Sequence, residues 1–141
     1  MSAVWLYRIA TGVLVVFAAL HTYGFLNFVP PSPEGRAVME SMNSVHFELN
    51  GARFSYGGFY KAFGLFVSVG MLFSAFVAWH LSRTVVKAPQ AIGGLAWGFF
   101  LLQAANLALC CIYFSTPQIA FNGVLAVCTG WAAFKVTANR Q

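Results

Sequence analysis

The chain has 141 residues, 60% of them hydrophobic and 8% charged, with a formal net charge of +5. A soluble domain carries roughly 25% charged residues, so composition excludes an ordinary water-soluble globule. The eight Lys and Arg are scattered rather than striped, which excludes a surface that tracks nucleic-acid phosphates.

Positions 9–33, 62–82 and 88–134 contain no Asp, Glu, Lys or Arg. About 20 mostly apolar residues suffice to cross a bilayer as a helix. The long interval is broken at Ser115-Thr116-Pro117-Gln118 and reads as two spans. The sequence therefore predicts an all-α membrane protein, a single four-transmembrane-helix bundle over 1–141. The spans fall at about 4–28, 58–81, 91–114 and 119–137, with an outer connection at 29–57.

No Lys or Arg precedes Arg8, the apolar stretch from Ile9 to Leu20 is long, and no small-x-small site precedes a polar start, so span one is expected to be retained rather than cleaved. Thr11, Ala18 and Thr22 put small residues near one of its faces. In the connection, Ser32 suits an N-cap, Pro33 the first helical position and Glu34 the positive helix end. These predict a short helix from about 33 to 43.

From Val45 to Tyr56 the apolar positions alternate on both sides of Asn50-Gly51. That is a hairpin signal, pairing Glu48 with Arg53, Phe47 with Phe54 and His46 with Ser55. A longer helix through about 49, broken at Asn50-Gly51, is the other reading. Both stay open at this stage.

Span two carries the small-residue stripes Gly70/Ser74/Ala78 and Gly64/Ser68, span three opens with Gly94-x-x-x-Gly98, and span four aligns Asn122, Ala126 and Gly130. Small residues permit the close helix approach that association in lipid requires. Their surplus also suggests a homodimer face.

All three acids, Glu34, Glu40 and Glu48, lie in the first connection, while Arg8, Arg83, Lys87, Lys135 and Arg140 flank the other ends of the spans. By the positive-inside rule the sequence predicts a multi-pass membrane protein with both termini and the second connection cytoplasmic. Trp5, Trp79, Trp97 and Trp131 then fall toward the inner boundary, and Tyr23, Tyr56, Tyr60 and Tyr113 toward the outer one.

Polar side chains within spans are costly and are functional candidates by default. Here they are His21, Asn27, Tyr60, Lys61, Gln103, Asn106 and Asn122, all from the midplane outward, with Tyr23 beside them. They suggest an outward-facing polar pocket beneath the connection. The bland readings are interhelical glue for Gln103 and Asn106, a carbonyl-bonded ring for His21 and a snorkelling Lys61.

No cofactor or metal is expected. His21 and His80 lie at different depths and cannot pair as axial haem ligands, and no carboxylate lies in any span. Cys110, Cys111 and Cys128 form no C-x-x-C and read as small apolar fillers.

Arg8-Ile-Ala-Thr-Gly12, with Phe17 and His21 following and Phe63-Gly64-Leu65 entering span two, is similar to the R-x-x-x-G start of the DoxX-like group of small four-helix membrane proteins. The stretch from Leu49 to Tyr56 resembles a segment found before span two in some bacterial four-helix proteins. The chain departs from the DoxX-like pattern at His21, where that group tends to have small residues. The resemblance implies a bacterial inner-membrane four-helix bundle and little chemistry, because the group is functionally mixed.

Three functional readings follow. The first is a non-catalytic protein binding a membrane lipid or amphipathic small molecule. The second is an enzyme or redox subunit on a membrane-soluble substrate, with His21 and His46 carrying protons. The third is a structural or chaperone subunit working through its small-residue stripes.

Overall fold

A computed structural model describes residues 1–138. Arg140 and its neighbours lie outside the described residues. The elements in chain order are α1 (Ala3–Leu26), α2 (Pro33–Ser44), β1 (His46–Leu49), β2 (Ala52–Ser55), α3 (Tyr56–Lys87), a 3-10 turn (Pro89–Ile92), α4 (Gly93–Tyr113) and α5 (Thr116–Ala138). Four helices are long and apolar enough to cross a membrane: α1, α3, α4 with its leading turn, and α5.

Contacts along the chain group it into two compact units, one of Met1–Phe17 with Met71–Gln141 and the other of Ala18–Gly70. The first unit holds the large core. Leu6, Tyr7, Ala10 and Leu14 of α1 meet Ala75, Ala78 and Leu81 of α3, Ala96 and Phe99 of α4, and Leu125, Cys128, Ala132, Ala133 and Val136 of α5. Alanine is the commonest residue in this core. Short side chains let helix backbones come close, and dispersion then supplies the attraction that lipid withholds from apolar surfaces. Phe17 stacks on Phe121 at 4.7 Å.

The outward faces of the same unit are apolar and exposed, as a lipid solvent requires. Three tryptophans on these faces carry a cation: Arg8 over Trp5 at 5.4 Å, Arg83 over Trp79 at 4.9 Å and Lys135 over Trp131 at 5.7 Å. Each pair lies one helical turn apart, so the charged head and the ring sit at one level.

The second unit holds the end of α1, the connection and the start of α3. Ser32 caps α2 by accepting from Gly35 N at 3.0 Å, and Pro33 fills the first turn, where no N–H is needed. α2 ends at Ser44. β1 and β2 pair antiparallel in the register His46↔Ser55, Phe47↔Phe54, Glu48↔Arg53 and Leu49↔Ala52. The turn needs positive φ at both central residues, and Asn50 (φ 52) and Gly51 (φ 78) supply it. A two-stranded ribbon is marginal by itself. Phe47 anchors this one, meeting Tyr56 at 4.8 Å and Phe59 at 5.9 Å on α3.

α3 is longer than its predicted span, running through Arg83 to Lys87. At 1.5 Å per residue it is about 48 Å long, against about 30 Å of hydrocarbon. It is thus longer than a hydrocarbon crossing requires, and Pro89 follows its end.

Candidate functional site

The polar groups singled out from the sequence fall into both units. In the second unit, the cleft of interest lies where α1 ends, α2 folds back and α3 begins. Phe25, Leu26 and Phe28 form one wall, Met39 and Asn43 of α2 the second, and Gly57, Tyr60 and Lys61 of α3 the third. The cavity is about 170 Å³. That is smaller than the roughly 300–1,000 Å³ of a site enclosing a whole drug-sized molecule. It suits a head group or a short segment of a larger ligand.

The cleft has a local structural cause. Gly57 is buried, and a Cβ there would collide with the Asn43 side chain. Glycine at this position lets α2 approach the root of α3. Lower down, Phe25 sits over Gly64 in the same manner. The Phe25 ring then tilts against Tyr60 at 5.3 Å and stacks on His21 at 5.7 Å, 4° from parallel. Three aromatic rings thus run from the cleft wall down to His21.

Chemically, the cleft offers one ammonium (Lys61), one phenol (Tyr60) and one carboxamide (Asn43) against apolar and aromatic walls. Lys61 and Tyr60 are exposed. No acid lines the cleft, so its electrostatic preference is for an anionic or acceptor-rich group.

His21 is half-buried, with Nδ1 3.1 Å from Ser68 Oγ. Thr22 Oγ1 lies 2.8 Å from the same Ser68 oxygen and 2.7 Å from Ala18 O. Ser68 itself is buried. Asn27 is turned back on its own helix, its Nδ2 donating to Tyr23 O at 2.8 Å, and Tyr23 is exposed. Of the five candidates in this unit, Tyr60 and Lys61 line the cleft, and His21 is one ring removed from it.

Gln103, Asn106 and Asn122 belong to the first unit. Asn122 Nδ2 donates to Gln118 O at 2.9 Å and lies 3.2 Å from Cys110 Sγ. Asn106 is half-buried. Gln103 is 1% exposed and its Nε2 finds no acceptor among the described residues; the hydroxyl of Tyr7, fully buried on α1, is likewise unpaired among them. His46 lies on the hairpin, exposed, with Nδ1 donating to Ser44 O at 2.7 Å. Among the described residues no group of three His, Cys, Asp or Glu is arranged to hold a metal ion.

Phe25, Leu26, Phe28, Met39, Asn43 and Gly57 were not singled out from the sequence. The apolar ones are indistinguishable there from lipid-facing residues. Met39 and Asn43 carry a usable signal: they lie four apart on one face of α2. A shallower apolar groove of about 370 Å³ lies on the other side of the connection, lined by Ala37, Val38, Ser41, Met42, Val45 and Tyr56. It holds no charged group.

Comparison with protein-family models, with curated proteins and with solved structures gives no match in any of the three.

Proposed function

We propose that this is a multi-pass inner-membrane protein, its termini cytoplasmic, that binds an anionic lipid-like or amphipathic molecule in the outward-facing cleft of its second unit without transforming it. The observation that carries this reading is Lys61 with Tyr60 and Asn43 at the mouth of a cleft walled by Phe25, Leu26, Phe28 and Met39. Apolar walls take the ligand's upper chain segment, and the polar trio takes its head. The cleft lies at the ends of two apolar helices, the depth at which a lipid head group resides.

The charge distribution supports the orientation. Arg8, Arg83, Lys87 and Lys135 have no acid near them in the sequence, whereas Arg36, Arg53 and Lys61, in and beside the connection, are accompanied by Glu34, Glu40 and Glu48. Lys and Arg collect on the cytoplasmic side. The cleft, in the acid-bearing unit, then opens outward. A lysine near a membrane surface contributes about 1 kcal/mol toward an anionic head.

The test is native mass spectrometry of the full chain released from nanodiscs that contain equal amounts of an anionic and a zwitterionic phospholipid. The expected result is a retained anionic lipid in the wild type, reduced about fivefold in Lys61→Gln. Equal retention of both lipids, or an unchanged ratio in Lys61→Gln, overturns the reading.

A further inference from the structure

α2 keeps an apolar side in the open. At about 3.6 residues per turn, Val38 and Met42 fall on one side of it, with Ala37 and Ser41 at the edge and the capping Val45 just beyond. Glu40 falls opposite, with Arg36 beside it, and Met39 and Asn43 lie between, turned to the cleft. Glu34 sits one turn before Val38, so the apolar side begins at Val38 and runs toward the C-terminal end of the helix. No residue of α2 is buried, and Val38 and Val45 are each more than half exposed. A helix of low overall hydrophobicity with its apolar residues sorted to one side is suited to lie in the plane of a bilayer surface.

The groove along that side leads into the lipid-facing surface of α3. Ala37, Val38, Ser41, Met42, Val45 and Tyr56 line about 370 Å³ with no charged group. Tyr56 is the first residue of α3, one of the four helices long and apolar enough to cross a membrane. From it a run of aromatic rings continues along the helix: Tyr56 to Phe47 at 4.8 Å, Phe47 to Phe59 at 5.9 Å and Phe59 to Phe63 at 4.9 Å. Phe59 and Phe63 are exposed on α3, where a spanning helix meets acyl chains. Groove and helix face are therefore one continuous apolar surface, and the solvent of the second extends to the first.

We infer that α2 lies in the interface of the adjoining leaflet, with the side bearing Val38, Met42 and Val45 against acyl chains, and that lipid hydrocarbon fills the groove as far as Tyr56. The connection is then a cap anchored in the membrane rather than a segment projecting into water. Lys61 and the cleft take no part in this contact. α2 carries two acids and one base, so apolar burial holds it in place and zwitterionic lipid serves as well as anionic lipid.

The test is quenching of a tryptophan placed on either side of α2, in the full chain in phosphatidylcholine vesicles, with wild-type emission subtracted to remove the four native tryptophans. Val38→Trp is expected to lose most of its added emission to acyl chains brominated about 5–10 Å below the surface, and little to aqueous acrylamide. Glu40→Trp is expected to do the opposite. Equal quenching of both variants by acrylamide overturns the inference. So does a Val38→Trp emission shielded from both quenchers, which would mean that a second copy of the chain covers the groove.

The wild type supplies a measurement that depends on no variant. In phosphatidylcholine nanodiscs, a nitroxide carried on the acyl chain is expected to broaden the side-chain NMR signals of Val38, Met42 and Val45 more than those of Arg36 and Glu40, and a soluble gadolinium chelate to do the reverse. Equal broadening of the two sets by either probe overturns the inference. Both measurements use zwitterionic lipid, so neither outcome turns on whether the cleft takes an anionic head group.

Discussion

The Phe25 ring occupies the space a side chain at Gly64 would need. This one contact sets the lower wall of the cleft and, through the ring stack, the plane of His21. Gly64→Ala is expected to push Phe25 off its seat. Forced repacking of this kind costs about 1–3 kcal/mol, which thermal unfolding in detergent would register. Phe25→Leu in the same chain removes the overlap, so the double variant is expected to recover part of the loss. Additive effects in that cycle would show that the two positions do not meet.

Gly94 and Gly98 have the spacing of a helix-packing motif, yet a Cβ at either meets nothing within 4 Å. Both are exposed on α4. Gly130 differs: a Cβ there would lie 2.8 Å from the Phe100 ring. Gly130→Leu is expected to lower the unfolding temperature by several degrees, an overpacking cost of about 1–3 kcal/mol. Gly94→Leu and Gly98→Leu are expected to leave it unchanged. Their effect, measured by light scattering after chromatography, is confined to self-association through that face of α4.

How far these relationships were legible in the sequence varied with what each depends on. The four long helices follow from apolar length alone, because lipid leaves a chain no other way to satisfy its backbone. The ends of α3 do not. Hydropathy stops at the first charge, Arg83, whereas the helix continues to Lys87 because backbone hydrogen bonding does not end where hydrocarbon does.

Position along a helix follows from residue number for His21, Lys61 and Gln103. Rotation about the helix axis does not, because polar residues in these spans are too few to define a stripe. That is why Tyr60 and Lys61 line the cleft while Asn27 bonds its own helix. Asn43 entered the cleft through the fold-back of α2, a long-range event that depends on Gly57 being bare.

Gly51 sits at φ 78, where a Cβ is strained against its own backbone. Gly51→Ala is expected to cost roughly 1 kcal/mol locally. A ribbon of two four-residue strands has little stability to spare, so the loss should appear as faster amide exchange at Phe47 and Phe54. It should stay within the second unit. Asn50→Gly keeps the turn geometry accessible and is expected to leave exchange near the wild-type rate.

Tyr7 and Gln103 carry the sharpest prediction of sign. If Gln103 were interhelical glue, replacing it would break a bond and destabilise the helices by about 0.6 kcal/mol. Its Nε2 and the Tyr7 hydroxyl are instead buried with no partner among the described residues. Leaving such a group unpaired costs about 1–3 kcal/mol, whereas an apolar replacement of the same shape removes that cost. Tyr7→Phe and Gln103→Leu are therefore expected to be neutral or stabilising. Asn122→Leu is the control of opposite sign, because its amide donates to Gln118 O and contacts Cys110 Sγ. Urea unfolding of the three variants in mixed micelles would order them. A clear loss of stability in Gln103→Leu, comparable with that in Asn122→Leu, would mean that Nε2 has an acceptor inside the first unit after all.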